Sequence, residues 1–85
     1  MSPQRPSNPR SPTHAALGAV ITEIRDEAGL TLEEFAELTK MRFQLISELE
    51  RARTDPRLST LVRLSRGADI ELSELFARLE QVRDR

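Results

Sequence analysis

The sequence has no cysteine, a single histidine and three glycines. Without cysteine there is no disulfide framework, thiol nucleophile or zinc–cysteine site. His14 stands at the edge of a proline-rich leader and reads as a solvated or helix-start residue. No cluster of histidine and carboxylates falls at metal-ligand spacing, and no glycine loop is suited to cradle a phosphate. No apolar run approaches the ~20 residues of a transmembrane helix, and the N-terminus lacks the apolar segment of a secretion signal. These absences set the expectations: not an enzyme, no cofactor, no metal, no membrane, no small-molecule substrate, and a cytoplasmic location.

An excess of positive charge is also lacking. Thirteen bases and fourteen acids leave a net charge of −1, which gives no support to nucleic-acid binding. The distribution is more informative. Residues 15–39 carry one base and six acids, whereas residues 40–66 carry seven bases and three acids. A charge run is usually a solvated face. This one begins abruptly at Lys40, straight after an acidic stretch, which favours a functional reading.

Eighty-five residues imply one domain with a small core. Residues 1–12 hold four of the five prolines and no acid. They read as a disordered tail, with the helical domain over residues 13–85. Arg5 and Arg10 suit either a basic arm in a DNA groove or an unstructured leader.

The pattern that organises the chain is Thr31–Arg51. Thr31 and Glu34 form a capping box, and Leu30 with Phe35 form a hydrophobic staple. A first short helix is expected over Leu32–Leu38, a turn at Thr39, Lys40 and Met41, and a second helix over Phe43–Arg51. Ile46 and Leu49 point inward, and Ala36 is small where the helices cross. Before this motif, a helix from near Thr13 to Gly29 carries Leu17, Ile21 and Ile24 as a core stripe, with Ala15, Ala16, Ala19 and Val20 as a second apolar patch. After it, Leu58, Leu61, Leu64 and Ala68 mark a helix over Leu58–Ala68, where Gly67 signals close packing or an early end. Leu72, Leu75, Phe76, Leu79 and Val82 mark a last helix to about Arg83. Leu72, Leu75 and Phe76 suffice to close the core of one chain. Leu79 and Val82 then either extend the stripe to a partner or cover the first helix of the same chain.

From Leu17 to Phe76 the chain resembles the phage-repressor type of helix-turn-helix domain (Cro/CI-like, Xre family). The matching pieces are LG at Leu17, IRDEAGLTLEEFA from Ile24, ISELER from Ile46, DPRLSTLVRL from Asp55 and DIELSELF from Asp69, in order and in register. The resemblance implies an all-α, five-helix domain that binds double-stranded operator DNA as a homodimer and regulates transcription, by repression above all. Phage repressors, restriction-modification controllers and antitoxins share this form. The dimer contact is expected at Phe76, Leu79 and Val82.

In that arrangement the second motif helix enters the major groove. Gln44 then pairs with adenine, Ser47 meets a base or phosphate, Glu48 accepts from cytosine and Phe43 rests on a thymine methyl. Lys40, Arg42, Arg51, Arg53 and Arg57 suit phosphates. The chain departs from the family at Lys40 and Ala52, where glycine is usual, and at Arg42, where a capping Ser or Thr is usual. Phe43, Leu45 and Met41 also allow a protein-binding surface, with core packing as the plainer reading of Leu45 and Met41. Ala19, Val20 and Thr22 stand where the family often has phosphate-contacting bases. The alternative function is therefore a protein-interaction module, with a protein partner, on the same fold.

Overall fold

Ser11 starts the first helix. Its Oγ accepts from the His14 backbone N–H at 3.1 Å, and Pro12 occupies the first turn, where its missing N–H leaves no helical bond unmade. The computed structural model describes residues 10–84. Residues 1–9, most of the expected tail, lie outside the described residues. Arg10, Ser11 and Pro12, also expected in the tail, are part of the folded unit: the Arg10 N–H donates to the Ala52 carbonyl at 3.0 Å.

Five helices follow in order: α1 (Pro12–Glu27), α2 (Leu32–Thr39), α3 (Phe43–Glu50), α4 (Leu58–Gly67) and α5 (Leu72–Arg83). No strand occurs among the described residues, so the fold is all-α as expected. No helix among them is long and apolar enough to cross a membrane.

Helix α1 is the spine. Val20 and Ile21 are fully buried, with Ala16, Leu17 and Ile24 beside them. α1 packs on α5 and α3, while α2 packs on α3 and α4. Phe35, Ala36, Met41, Ile46, Leu49, Leu64, Leu75 and Leu79 complete the buried cluster. The small patch expected on the outside of α1 therefore divides. Ala15 and Ala19 are exposed, but Ala16 and Val20 belong to the core. Val20 thus gives no reason to suspect a partner on that face.

Two further expectations need correction. Leu58 is 64% exposed. It begins α4 one turn before the core stripe, which includes α4 residues only from Leu61 onward. On α5 the core is closed by Leu75 and Leu79, not by Phe76, which is 37% exposed. Leu72, Leu75, Leu79 and Val82 form one stripe, and at about 100° per residue Phe76 lies ~80° from its centre. Leu79 thus serves the core of its own chain, Val82 packs against it half-buried, and Phe76 is left at the edge.

Candidate nucleic-acid interface

The capping box forms as the sequence predicts. Thr31 Oγ1 accepts from the Glu34 N–H at 3.1 Å, and Glu34 Oε1 accepts from the Thr31 N–H at 2.9 Å. Leu30 is half-buried against the core cluster that includes Phe35. α2 continues one residue further than expected, because Thr39 is buried and its hydroxyl donates to the Phe35 carbonyl at 2.8 Å. The chain then reverses at Lys40, which sits in the left-handed region at φ 59°, ψ 41°. Its N–H and that of Met41 return to the carbonyls of Glu37 and Ala36. Met41 is buried and Leu45 half-buried against the core, so both take the plain packing role.

Two glycines bring helices close to this motif. A Cβ on Gly18 would stand 2.5 Å from the Glu50 carbonyl oxygen and 3.0 Å from that of Leu49. The missing side chain lets α1 lie against the end of α3. On α4, a Cβ on Gly67 would stand 2.5 Å from Thr39 Cγ2. The close packing expected at Gly67 is therefore present, and the helix also ends there. The close approach at Gly18 has little local signal in the sequence. Only its place two residues before the buried Val20 hints at it.

An ion pair locks the same contact. Arg25 Nε donates to Glu50 Oε2 at 2.7 Å, Nη2 to Oε1 at 3.2 Å, and Nη1 to the Leu30 carbonyl at 3.0 Å. Both side chains are mostly buried, at 17% and 12% exposure. The hydrogen bond to Glu50 raises the Arg25 pKa above its ordinary value, against the opposing effect of burial. A fork-to-carboxylate geometry of this kind fixes orientation as well as charge. Glu50 is thereby neutralised where α3 ends.

With Ile46 and Leu49 at 0% and 1% exposure, α3 turns its other side outward. Phe43, Gln44, Glu48 and Arg51 are exposed, and Ser47 is half-buried. Around this face Lys40, Arg42, Arg53 and Arg57 are all exposed. None of these four, nor Arg51, makes an ion pair among the described residues. The acids of residues 40–66 behave differently. Glu50 is held by Arg25, and Asp55 accepts from His14 Nε2 at 3.1 Å. Glu48 alone among them is without such a partner. Charge is thus partly sorted by pairing: among the described residues Glu50 and Asp55 are engaged, exposed Glu48 is not, and the five cations are left open to solvent.

Acids elsewhere are gathered too. Arg78 on α5 bonds Glu74, Glu23 and Glu27 at 2.9–3.2 Å, tying α5 to α1 on a different part of the surface. Hydrogen bonds to Glu74 and Glu27 raise the Arg78 pKa.

The second motif helix lacks a capping side chain, as its sequence implies. Arg42 occupies the N-cap at φ −70°, ψ 145° with no side-chain bond to the helix. Ala52, just past α3, adopts φ 61°, a conformation glycine takes more readily.

Comparison with known proteins agrees with this geometry. The family model HTH_3, described as helix-turn-helix, matches residues 21–75. The HTH-type transcriptional regulator PuuR of Escherichia coli is 35% identical over 66 residues, 78% of this chain and 36% of that protein. The chain therefore spans about a third of the length of that curated relative. Among solved structures, the clp gene regulator ClgR from Corynebacterium glutamicum superposes with a TM-score of 0.81 at 25% identity, covering 89% of this chain and 81% of that one. The restriction-modification controller protein C.AhdI from Aeromonas hydrophila gives a TM-score of 0.72 at 28% identity, covering 74% of this chain and 96% of that one.

Proposed function

The chain belongs to the helix-turn-helix family HTH_3, and from that premise we propose that it binds a specific DNA sequence as a homodimer and represses transcription by occupying a promoter. One observation carries the reading: the outward face of α3 is ringed by exposed Lys40, Arg42, Arg51, Arg53 and Arg57, which make no ion pair among the described residues, while Glu50 and Asp55 are engaged by Arg25 and His14. Five open cations around an exposed helix match the chemistry of phosphate contacts flanking a helix in the major groove. The net charge of −1 does not oppose this: Arg25 neutralises Glu50, and the five open cations around α3 outnumber exposed Glu48 and Asp55.

Within the groove, the Gln44 amide is the adenine reader and Ser47 a base or phosphate contact. Glu48 accepts from a cytosine amino group, and Phe43 meets a thymine methyl. Dimerisation uses the α5 end of the domain, with Phe76 the exposed apolar residue there. Half-sites then lie about one helical turn apart, or about 34–36 Å. The family is one of transcriptional regulators and not an enzyme class, and the reading requires no cofactor.

The test is recovery of genomic DNA fragments on the purified chain at low salt. The expected result is enrichment of fragments sharing a two-fold symmetric sequence. Absence of any bound fragment overturns the reading. It would favour the second reading, a protein-interaction module, which the exposure of Phe43 at 39% and Leu38 at 54% supports.

A further inference from the structure

The segment after α3 holds two of the five open cations, Arg53 and Arg57, on a short loop before α4. The start of this loop is well held. The Ala52 N–H donates to the Leu49 carbonyl, the Arg53 N–H donates to the Glu48 carbonyl at 2.9 Å, and the Ala52 carbonyl accepts from Arg10. Beyond Arg53 the restraint thins. Among the described residues, Thr54, Asp55 and Pro56 make one hydrogen bond between them, from His14 Nε2 to Asp55 Oδ1. That bond joins the first turn of α1 to a residue 41 positions away.

The chemistry of His14 is specified by its neighbours. A carboxylate only accepts, so Nε2 carries the hydrogen. Nδ1 meets the Ser11 hydroxyl at 2.6 Å, as acceptor in the neutral ring and as donor in the protonated one. The Ser11 oxygen in turn accepts the His14 backbone N–H at 3.1 Å, which caps α1. Ring orientation, helix start and loop are thus one network. Partners on both ring nitrogens hold the imidazole toward Asp55.

We infer that His14 is a positioning residue for DNA recognition: through Asp55 it fixes the Arg53–Arg57 loop at the height where both guanidinium groups meet the phosphate backbone beside α3. The inference rests on the DNA-binding reading above and adds a residue that touches no DNA. It assigns a role to Asp55 that its charge alone would contradict. A carboxylate beside phosphates weakens binding, so removal of its charge without loss of its bond should help, and loss of the bond should hurt.

The experiment measures salt-dependent binding of the full chain to its recovered DNA, together with backbone order of the free protein by ¹⁵N relaxation. His14→Ala and Asp55→Ala should make the slope of log K against log salt about 1–2 units shallower per subunit, the loss of one or two phosphate contacts. They should also lower the order parameters of the Arg53, Thr54, Asp55 and Arg57 amides from about 0.85 towards 0.6, with α3 unchanged. His14→Gln, whose amide nitrogen reaches the place of Nε2, should restore both. Asp55→Asn keeps the acceptor and removes the charge, and should bind at least as tightly as the parent chain.

If His14→Ala fails to fold, Asp55→Ala, at an exposed residue, carries the test alone. Unchanged loop order in Asp55→Ala overturns the inference, whatever the DNA result. Tighter binding by Asp55→Ala than by the parent also overturns it, since Asp55 would then act by charge only. A parent chain that binds no DNA overturns the reading in the preceding section instead, and the relaxation result still decides whether His14 holds the loop.

Discussion

Arg25 and Glu50 meet across α1 and α3 at 2.7 Å, 25 residues apart in sequence. The contact closes the end of α3 against the spine of the fold and removes one acid from the neighbourhood of its exposed face. Losing Arg25 would leave a mostly buried carboxylate without its donors. Arg25→Ala is predicted to lower stability by about 1–3 kcal/mol, the cost of stranding a buried charged acceptor. Denaturant unfolding measures it, and a change within about 0.5 kcal/mol, as for an ordinary surface substitution, would show that the pair holds nothing together.

Gly18 works on the same seam from the other side. A methyl group there meets the backbone carbonyls of Leu49 and Glu50, which cannot swing away as a side chain can. Gly18→Ala is predicted to destabilise by about 1–3 kcal/mol through overpacking, despite the better helix propensity of alanine. A stabilised variant would mean that α1 and α3 are not this close.

Lys40 and Arg42 pose a different balance. Lys40 adopts a left-handed conformation, and Arg42 sits at an N-cap without capping it. Both residues are poor for local stability and both carry open positive charge. The double variant Lys40→Gly, Arg42→Ser is predicted to be more stable by about 1–2 kcal/mol. It should also bind DNA with a slope about 1.8 units shallower per subunit. Gains in both properties would mean that these side chains do not meet phosphates.

On the proposed reading, Gln44 contributes specificity and not attraction. Gln44→Ala should cost ~1–3 kcal/mol at a site carrying the adenine it reads and relax preference at that base pair. Its salt slope should stay unchanged, because no phosphate contact is lost. Selection of bound sequences from a random pool checks this. An unaltered consensus would remove Gln44 from the reading surface.

The dimer prediction now rests on Phe76. Leu79 is used in the core of its own chain, so a polar residue there would test folding instead of association. Phe76→Asp should convert a dimer to a monomer in sedimentation without loss of helicity. An unchanged mass would place the interface elsewhere.

What could be read from the sequence follows from the range of its signals. The capping box at Thr31 and Glu34, the inward Ile46 and Leu49, and the uncapped start at Arg42 are set within one helical turn, and all were legible. The family pieces from Leu17 to Phe76 carried the five-helix order, which the fold shows. Leu58 and Phe76 fit the apolar stripes by spacing yet lie largely outside the core, because periodicity marks a stripe but not where the neighbouring helix stops covering it. Val20 stands where the resemblance implies an outer, often basic position, yet it is buried in the core. Arg25 with Glu50, and His14 with Asp55, were invisible: partners separated by 25 and 41 residues leave no local pattern. Those long-range pairs are what turn a charge run into a face of open cations.

That face is the central claim, and the salt dependence of DNA binding by the intact chain tests it most directly. If about four of Lys40, Arg42, Arg51, Arg53 and Arg57 meet phosphates, log K should fall with log salt at a slope of about −3.6 per subunit. A slope near zero, or no binding to any genomic fragment at low salt, would contradict it.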